Sequence, residues 1–164
     1  MRELTEIRWH ARAGQGAKTA AQILALALLR SGKGVQAFPE YGPERRGAPL
    51  RAFTRVADRP IRRHDTITDP DLVVVLEPSL ANEAYVTEGA KENTIVLVAG
   101  DVAPPGATAV PAKGNVNLVL LGAVAAALEQ PLEPFEDAAV ALLGRKAGED
   151  AIRDALREGY TCRS

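Results

Sequence analysis

Glu6-Ile7-Arg8-Trp9-His10-Ala11-Arg12-Ala13-Gly14-Gln15-Gly16 runs directly into Ala17-Lys18-Thr19-Ala20-Ala21-Gln22-Ile23-Leu24-Ala25-Leu26-Ala27-Leu28-Leu29-Arg30-Ser31, and the rest of the chain can be read outward from it. The segment opens apolar and extended at Ile7, Trp9 and Ala11. It breaks at Ala13-Gly14-Gln15-Gly16 and continues as a run of strong helix formers. Strand, glycine turn and helix in this order open a nucleotide- or phosphate-binding α/β unit. Glycine lets the backbone turn sharply and brings N–H groups close to a ligand with no Cβ in the way. The helix that follows adds its positive N-terminal end. Arg12 and Lys18 flank the turn and favour an anion. The pattern is Gly14-x-Gly16-x-x-Thr19, without the third glycine of a dinucleotide site and without the Gly-Lys-Ser/Thr of a P-loop. A tight turn that binds nothing has the same pattern. Glu40 stands where a ribose-binding acid would sit, but it follows Pro39 inside a charged loop, which argues against an NAD site.

The 164 residues predict one domain, 1–164, with a sizeable core. Composition is 46% hydrophobic and 25% charged, ordinary for a globular protein, and the net charge of −1 points to neither nucleic acid nor a membrane surface. Aromatics make up 4% of the chain, too few for a base-stacking platform. Cys162 is the only cysteine, which excludes an internal disulfide and a four-thiolate iron–sulfur site. Met1 leads into charged sequence with no apolar leader, and Gly114 to Leu128 is too short to span a bilayer, so a cytoplasmic location is expected.

Beyond the first helix, Val35 to Phe38 reads as a second strand. Pro39 to Pro49 holds three prolines, two glycines and four charges, a loop of a length that is usually functional. Leu50 to Val56 alternates as a strand, with Arg51 and Arg55 on one face and Phe53 between them. Pro60 to His64 is a candidate short edge strand. Seven of the 20 basic residues fall between Arg45 and Arg63 against one acid, Asp58. This fits either a charged, solvated edge or a surface for acidic groups. Leu72 to Leu76 and Thr94 to Val98 are apolar, β-branched runs expected in a buried parallel sheet. Ser79 is placed to cap a short helix through Tyr85, and Ala107 to Val110 is one more short strand. Gly114-Asn115-Val116-Asn117 introduces a helix that is apolar nearly all round and must be covered, by this chain or a neighbour. Two further helices follow, one around Phe135 to Leu143 and one over Glu149 to Glu158. The alternation predicts an α/β fold, a three-layer α/β/α domain on a mostly parallel or mixed sheet.

No catalytic constellation emerges. His10 and His64 are far apart and lack metal-ligand spacing, and neither a Gly-x-Ser-x-Gly elbow nor a His-Glu-x-x-His motif occurs. His10, beside the glycine turn, is the histidine best placed for a ligand, although packing is the commoner role for such a residue. From the residues alone, the chain is a binding module or one part of a larger enzyme.

Trp9 to Gly16 followed by Ala37-Phe38-Pro39-Glu40-Tyr41-Gly42-Pro43-Glu44-Arg45-Arg46-Gly47-Ala48-Pro49 closely resembles the gamma subunit of pyruvate:ferredoxin oxidoreductase. The likeness extends over nearly the whole chain, including Asp71 to Leu76 and the Asn115/Asn117 to Leu121-Gly122-Ala123 segment. The resemblance implies coenzyme A-dependent oxidative decarboxylation of a 2-oxoacid, most simply pyruvate, to an acyl-CoA and CO2, with electrons passed to ferredoxin. A branched-chain 2-oxoacid enzyme is the alternative within the family, and a free-standing nucleotide-binding or regulatory module the alternative outside it. The resemblance puts thiamine diphosphate and the iron–sulfur (4Fe–4S) clusters on partner subunits of alpha, beta and delta type. It implies that this chain contributes no catalytic or metal-binding residue and instead helps bind coenzyme A and assemble the complex. Arg12, Gly14, Gln15 and Gly16 are the expected coenzyme A contacts, and Tyr41, Arg45 and Arg46 the expected interface residues.

Overall fold

A computed structural model describes residues 3–40 and 47–162. The first strand, β1 (Leu4–Arg12), forms where the apolar alternation begins and ends at the glycine turn. Helix α1 (Ala17–Arg30) follows, buried along Ala20, Ile23, Leu24, Ala27 and Leu28. Next come β2 (Gly34–Pro39), β3 (Pro49–Ala57), β4 (Leu72–Val75), β5 (Ile95–Ala99) and β6 (Thr108–Val110). Three helices complete the described residues, α2 (Val116–Ala127), α3 (Glu133–Ala147) and α4 (Glu149–Thr161).

Among the described residues, six strands form one mixed sheet in the order β2-β3-β1-β4-β5-β6. β1, β4, β5 and β6 are parallel, and β3 runs antiparallel to both of its neighbours, β1 and β2. β3 is thus the one reversed strand, inserted between the first two. Ile7 pairs with Thr54 on one side and Leu72 on the other, which places β1 at the sheet centre.

One face of the sheet carries Ile7, Trp9, Ala11, Leu72, Val74, Leu76, Leu97 and Val110, packed against all four helices in a single core. Trp9 adds a hydrogen bond from its ring N–H to Thr54 Oγ1 (3.1 Å), so its polar atom is satisfied within that core. The opposite face is covered by a thinner layer, in which Val73, Val75 and Val98 meet Leu80 and Val86. That layer consists of two 3-10 turns, Pro78–Leu80 and Ala84–Val86, where the spacing suggested one capped helix. Glu77, not Ser79, supplies the cap: its carboxylate accepts the Ser79 amide at 3.1 Å.

Two further expectations need adjustment. Residues 60–64 form no strand, because Pro60 lacks an amide and the segment is held by side chains instead. The Gln36 side-chain amide donates to the carbonyls of Arg63 (2.7 Å) and Ile61 (3.5 Å). The apolar helix α2, for which a neighbour was one possible cover, is buried by this chain itself, with Leu118 to Ala125 enclosed by the core.

Candidate anion-binding turn

The parallel strands β1, β4 and β5 all deliver their C-terminal ends to one edge of the domain, where ligands of open α/β sheets gather. There Gly14 (φ +95°) and Gly16 (φ +84°) adopt left-handed conformations that a side chain would strain. Space matters as much at Gly16, where a Cβ would lie 2.6 Å from Asn117 Nδ2 at the start of α2. The starts of α1 and α2 therefore meet at this glycine. Neither helix has an acidic residue in its first turn or a side-chain cap. Among the described residues, the amides of Gly14, Gly16, Ala17, Lys18 and Thr19 have no protein acceptor, and the first helical bond of α1 runs from Ala20 N–H to the Gly16 carbonyl. Such a group of open amides at a dipole's positive end suits an anion.

Gln15 serves the turn rather than offering its side chain outward. Its amide oxygen accepts the Arg12 N–H (2.7 Å), its amide nitrogen donates to Glu77 (2.8 Å), and its own backbone N–H donates to the Arg12 carbonyl (3.1 Å). The Arg12 guanidinium spans two loops, donating to the Gly47 carbonyl (3.1 Å) and Ser79 Oγ (3.4 Å). The neighbouring Ala13 amide donates to the Ala48 carbonyl (3.0 Å). The end of the Pro39–Pro49 loop is thus tied to the glycine turn. Tyr41, Arg45 and Arg46, the expected interface residues, lie outside the described residues.

Glu77, Ser79 and Asn117 were not singled out as site residues by sequence reasoning. Glu77 and Ser79 directly follow a buried strand, and the rule that sites form at strand C-termini is the signal that would have flagged them. Hydrogen bonding from the Ser79 amide, then from Ser79 Oγ and Gln15, with Arg12 close by, holds the Glu77 carboxyl below its ordinary range.

His10 lies inside the protein rather than in the turn. Its ring is fully buried, 5.7 Å from Tyr85, and accepts a hydrogen bond from Arg8 Nε at Nε2 (3.1 Å). Burial first, then the positive charges of Arg8 and Arg51, push its pKa down to about 3, so the imidazole is neutral. Arg8 is itself buried and donates to the carbonyls of Val86 (2.9 Å) and Glu88 (2.6 Å), pinning the 3-10 layer onto the sheet. His10 is therefore a packing residue and the acceptor that orients Arg8.

The arginine-rich stretch is largely paired internally. Arg51 forms a two-pronged pair with Glu40. Arg55, fully buried, reaches Glu6 (2.8 Å) and Asp65 (3.5 Å) and lies 5.6 Å from the centre of the Phe38 ring. Arg59 pairs with Glu3, and Arg63 with Asp65 and Glu6. All of these acids come from outside the arginine-rich window, which made the surface read as more basic than it is. Two cavities, of about 480 Å³ beside Thr5, Asp71 and Leu128 and about 600 Å³ beside Leu4, Ala57 and Arg62, lie at the opposite end of the sheet from the turn. Among the described residues no group of three or more His, Cys, Asp and Glu side chains could hold a metal, and no helix is long and apolar enough to cross a membrane.

The fold and sequence together have known relatives. The family model for pyruvate ferredoxin/flavodoxin oxidoreductase matches residues 6–162. A pyruvate synthase subunit PorC from Thermotoga maritima is 42% identical over 94% of this chain and 92% of its own. A pyruvate/ketoisovalerate oxidoreductases common subunit gamma from Thermococcus kodakarensis is 42% identical over 96% and 88%. The crystal structure of pyruvate oxidoreductase subunit PorC from Thermotoga maritima superposes with a TM-score of 0.84 at 37% identity, covering 98% of this chain and 97% of that one. The chain belongs to the pyruvate ferredoxin/flavodoxin oxidoreductase family, within which it matches gamma (PorC) subunits over nearly its whole length.

Proposed function

We propose that this gamma-type chain, acting as one domain over 1–164, serves a pyruvate:ferredoxin oxidoreductase by helping to bind coenzyme A and by holding the complex together. The complex would convert pyruvate and coenzyme A to acetyl-CoA and CO2, passing two electrons to ferredoxin in the cytoplasm. The observation that carries the coenzyme A role is the set of open amides of Gly14, Gly16, Ala17, Lys18 and Thr19 beside Arg12 at the strand C-termini. Such a site holds phosphate oxygens through N–H donors and a guanidinium and needs no chemistry of its own. Gln15 contributes by fixing the turn.

Thiamine diphosphate and the 4Fe–4S clusters are assigned to alpha-, beta- and delta-type partners. The single cysteine, Cys162, is an exposed free thiol at the end of α4 and supports that division of labour. A shared role in a branched-chain 2-oxoacid enzyme is the second reading, favoured by the 42% identity to a subunit named for both pyruvate and ketoisovalerate oxidoreductases.

Purification of the tagged chain from its native source tests the assignment. Larger chains carrying thiamine diphosphate and iron should co-elute, with pyruvate- and coenzyme A-dependent reduction of ferredoxin. Recovery of a stable, active monomer would overturn it.

A further inference from the structure

We infer that Glu77 is the positioning residue for the coenzyme-binding turn, holding Arg12 from both ends through Gln15 and Ser79. The inference rests on the coenzyme A reading above. Glu77 follows β4, whose end is locked to β1 by the bond from Leu76 N–H to the His10 carbonyl (2.8 Å). Its two carboxylate oxygens do separate work. One accepts the Gln15 side-chain N–H at 2.8 Å, and the other accepts the Ser79 backbone N–H at 3.1 Å.

Each bond passes its effect to Arg12. The Gln15 amide is oriented by Glu77, so its oxygen faces Arg12 N–H at 2.7 Å and sets the backbone where the turn begins. Ser79, held at the same carboxylate, presents its Oγ to the Arg12 guanidinium at 3.4 Å. An anionic carboxylate accepts both donors at once, whereas an amide has one oxygen and must oppose an N–H to an N–H in one of the two places. The geometry therefore calls for an acceptor-only group at this position. The low proton affinity of Glu77 agrees, since it keeps the carboxylate ionised at neutral pH.

The test uses the intact complex and four variants: Glu77→Gln, Arg12→Ala, Gln15→Glu, and the double exchange of Gln15→Glu with Glu77→Gln. The exchange moves the acceptor-only group to position 15, where it can take both Arg12 N–H and a donated N–H from position 77, while the oxygen at 77 still accepts from Ser79. Glu77→Gln should raise the KM for coenzyme A by roughly tenfold, the scale of one lost hydrogen bond to a charged group, with the KM for pyruvate unchanged. Amide hydrogen exchange in residues 9–20 should quicken in the same variant. The double exchange should return both readouts most of the way to wild type.

Unchanged hydrogen exchange in Glu77→Gln overturns the proposal. So does a normal KM for coenzyme A in Glu77→Gln while Arg12→Ala raises it, or a double exchange as defective as Glu77→Gln alone. If Arg12→Ala and Glu77→Gln both leave the KM for coenzyme A unchanged, the coenzyme A reading itself fails, and the role of Glu77 in it falls too.

Discussion

Gly159 of α4 sits so close to Val119 of α2 that a methyl group on Gly159 would lie 1.7 Å from the Val119 carbonyl oxygen. The contact is reciprocal: a Cβ on Gly122 of α2 would lie 2.0 Å from the Leu156 carbonyl oxygen of α4. Two helix backbones touch here, as small residues alone permit. Gly159→Ala would push the helices apart and uncover Leu156 and Ala123, both fully buried. A loss of about 3 kcal/mol is expected, at the upper end for overpacking because backbone cannot rotate away. Urea unfolding checks it, and an unchanged midpoint would mean that α4 slides on α2 without cost.

A second prediction concerns how α3 is fastened to α4. Glu136 is almost completely buried, accepting from Arg153 Nη1 at 2.8 Å and from Arg157 Nε at 2.7 Å. One carboxylate thus serves two guanidinium groups, and Arg153 also reaches Asp137. Glu136→Ala should cost about 1–3 kcal/mol, less than a fully buried pair because both arginines are partly exposed and can find water. Thermal unfolding of Glu136→Ala, Arg157→Ala and the pair in a double-mutant cycle measures the coupling. Strict additivity would show that the two residues do not interact.

At the glycine turn, Arg12→Ala removes a guanidinium that touches Gly47 and Ser79. The KM for coenzyme A should rise by the equivalent of about 1–3 kcal/mol, with the KM for pyruvate and reduction of the clusters little changed. A phosphate contact should also weaken as salt rises and should distinguish coenzyme A from its pantetheine fragment. Loss of assembly with an unaltered KM for coenzyme A would make the turn purely structural.

The buried imidazole gives a pH-dependent stability of known sign. The folded state holds His10 neutral down to about 3, whereas the unfolded chain binds a proton at its usual 6.5. The unfolded state therefore binds more protons in that window, and the contribution of His10 is complete above 6.5 and is lost as pH falls towards 3. The slope from this residue alone is at most about 1.4 kcal/mol per pH unit. Titration of the His10 imidazole protons by NMR isolates it from the carboxylates. A His10 titration near 6.5 would contradict the burial argument.

Much of this architecture was legible in local pattern. The β1–turn–α1 unit, the buried strands at 72–75 and 95–99, the all-apolar α2 and the amphipathic α4 each write their period into a few consecutive residues. The left-handed glycines were legible for the same reason, since a turn of that kind admits little else. Those features needed no partner distant in the chain. The reversed insertion of β3 between β2 and β1, the pairing of Arg55 with Glu6, the dual service of Glu77 and the contact of Gly159 with Val119 did. Each joins residues tens of positions apart, and each position alone reads as ordinary. The backbone's local preferences determine which segments are strand or helix. Which acid meets which arginine, and which glycine lets two helices touch, is decided only when the helices close over the sheet and every buried charge must find its partner.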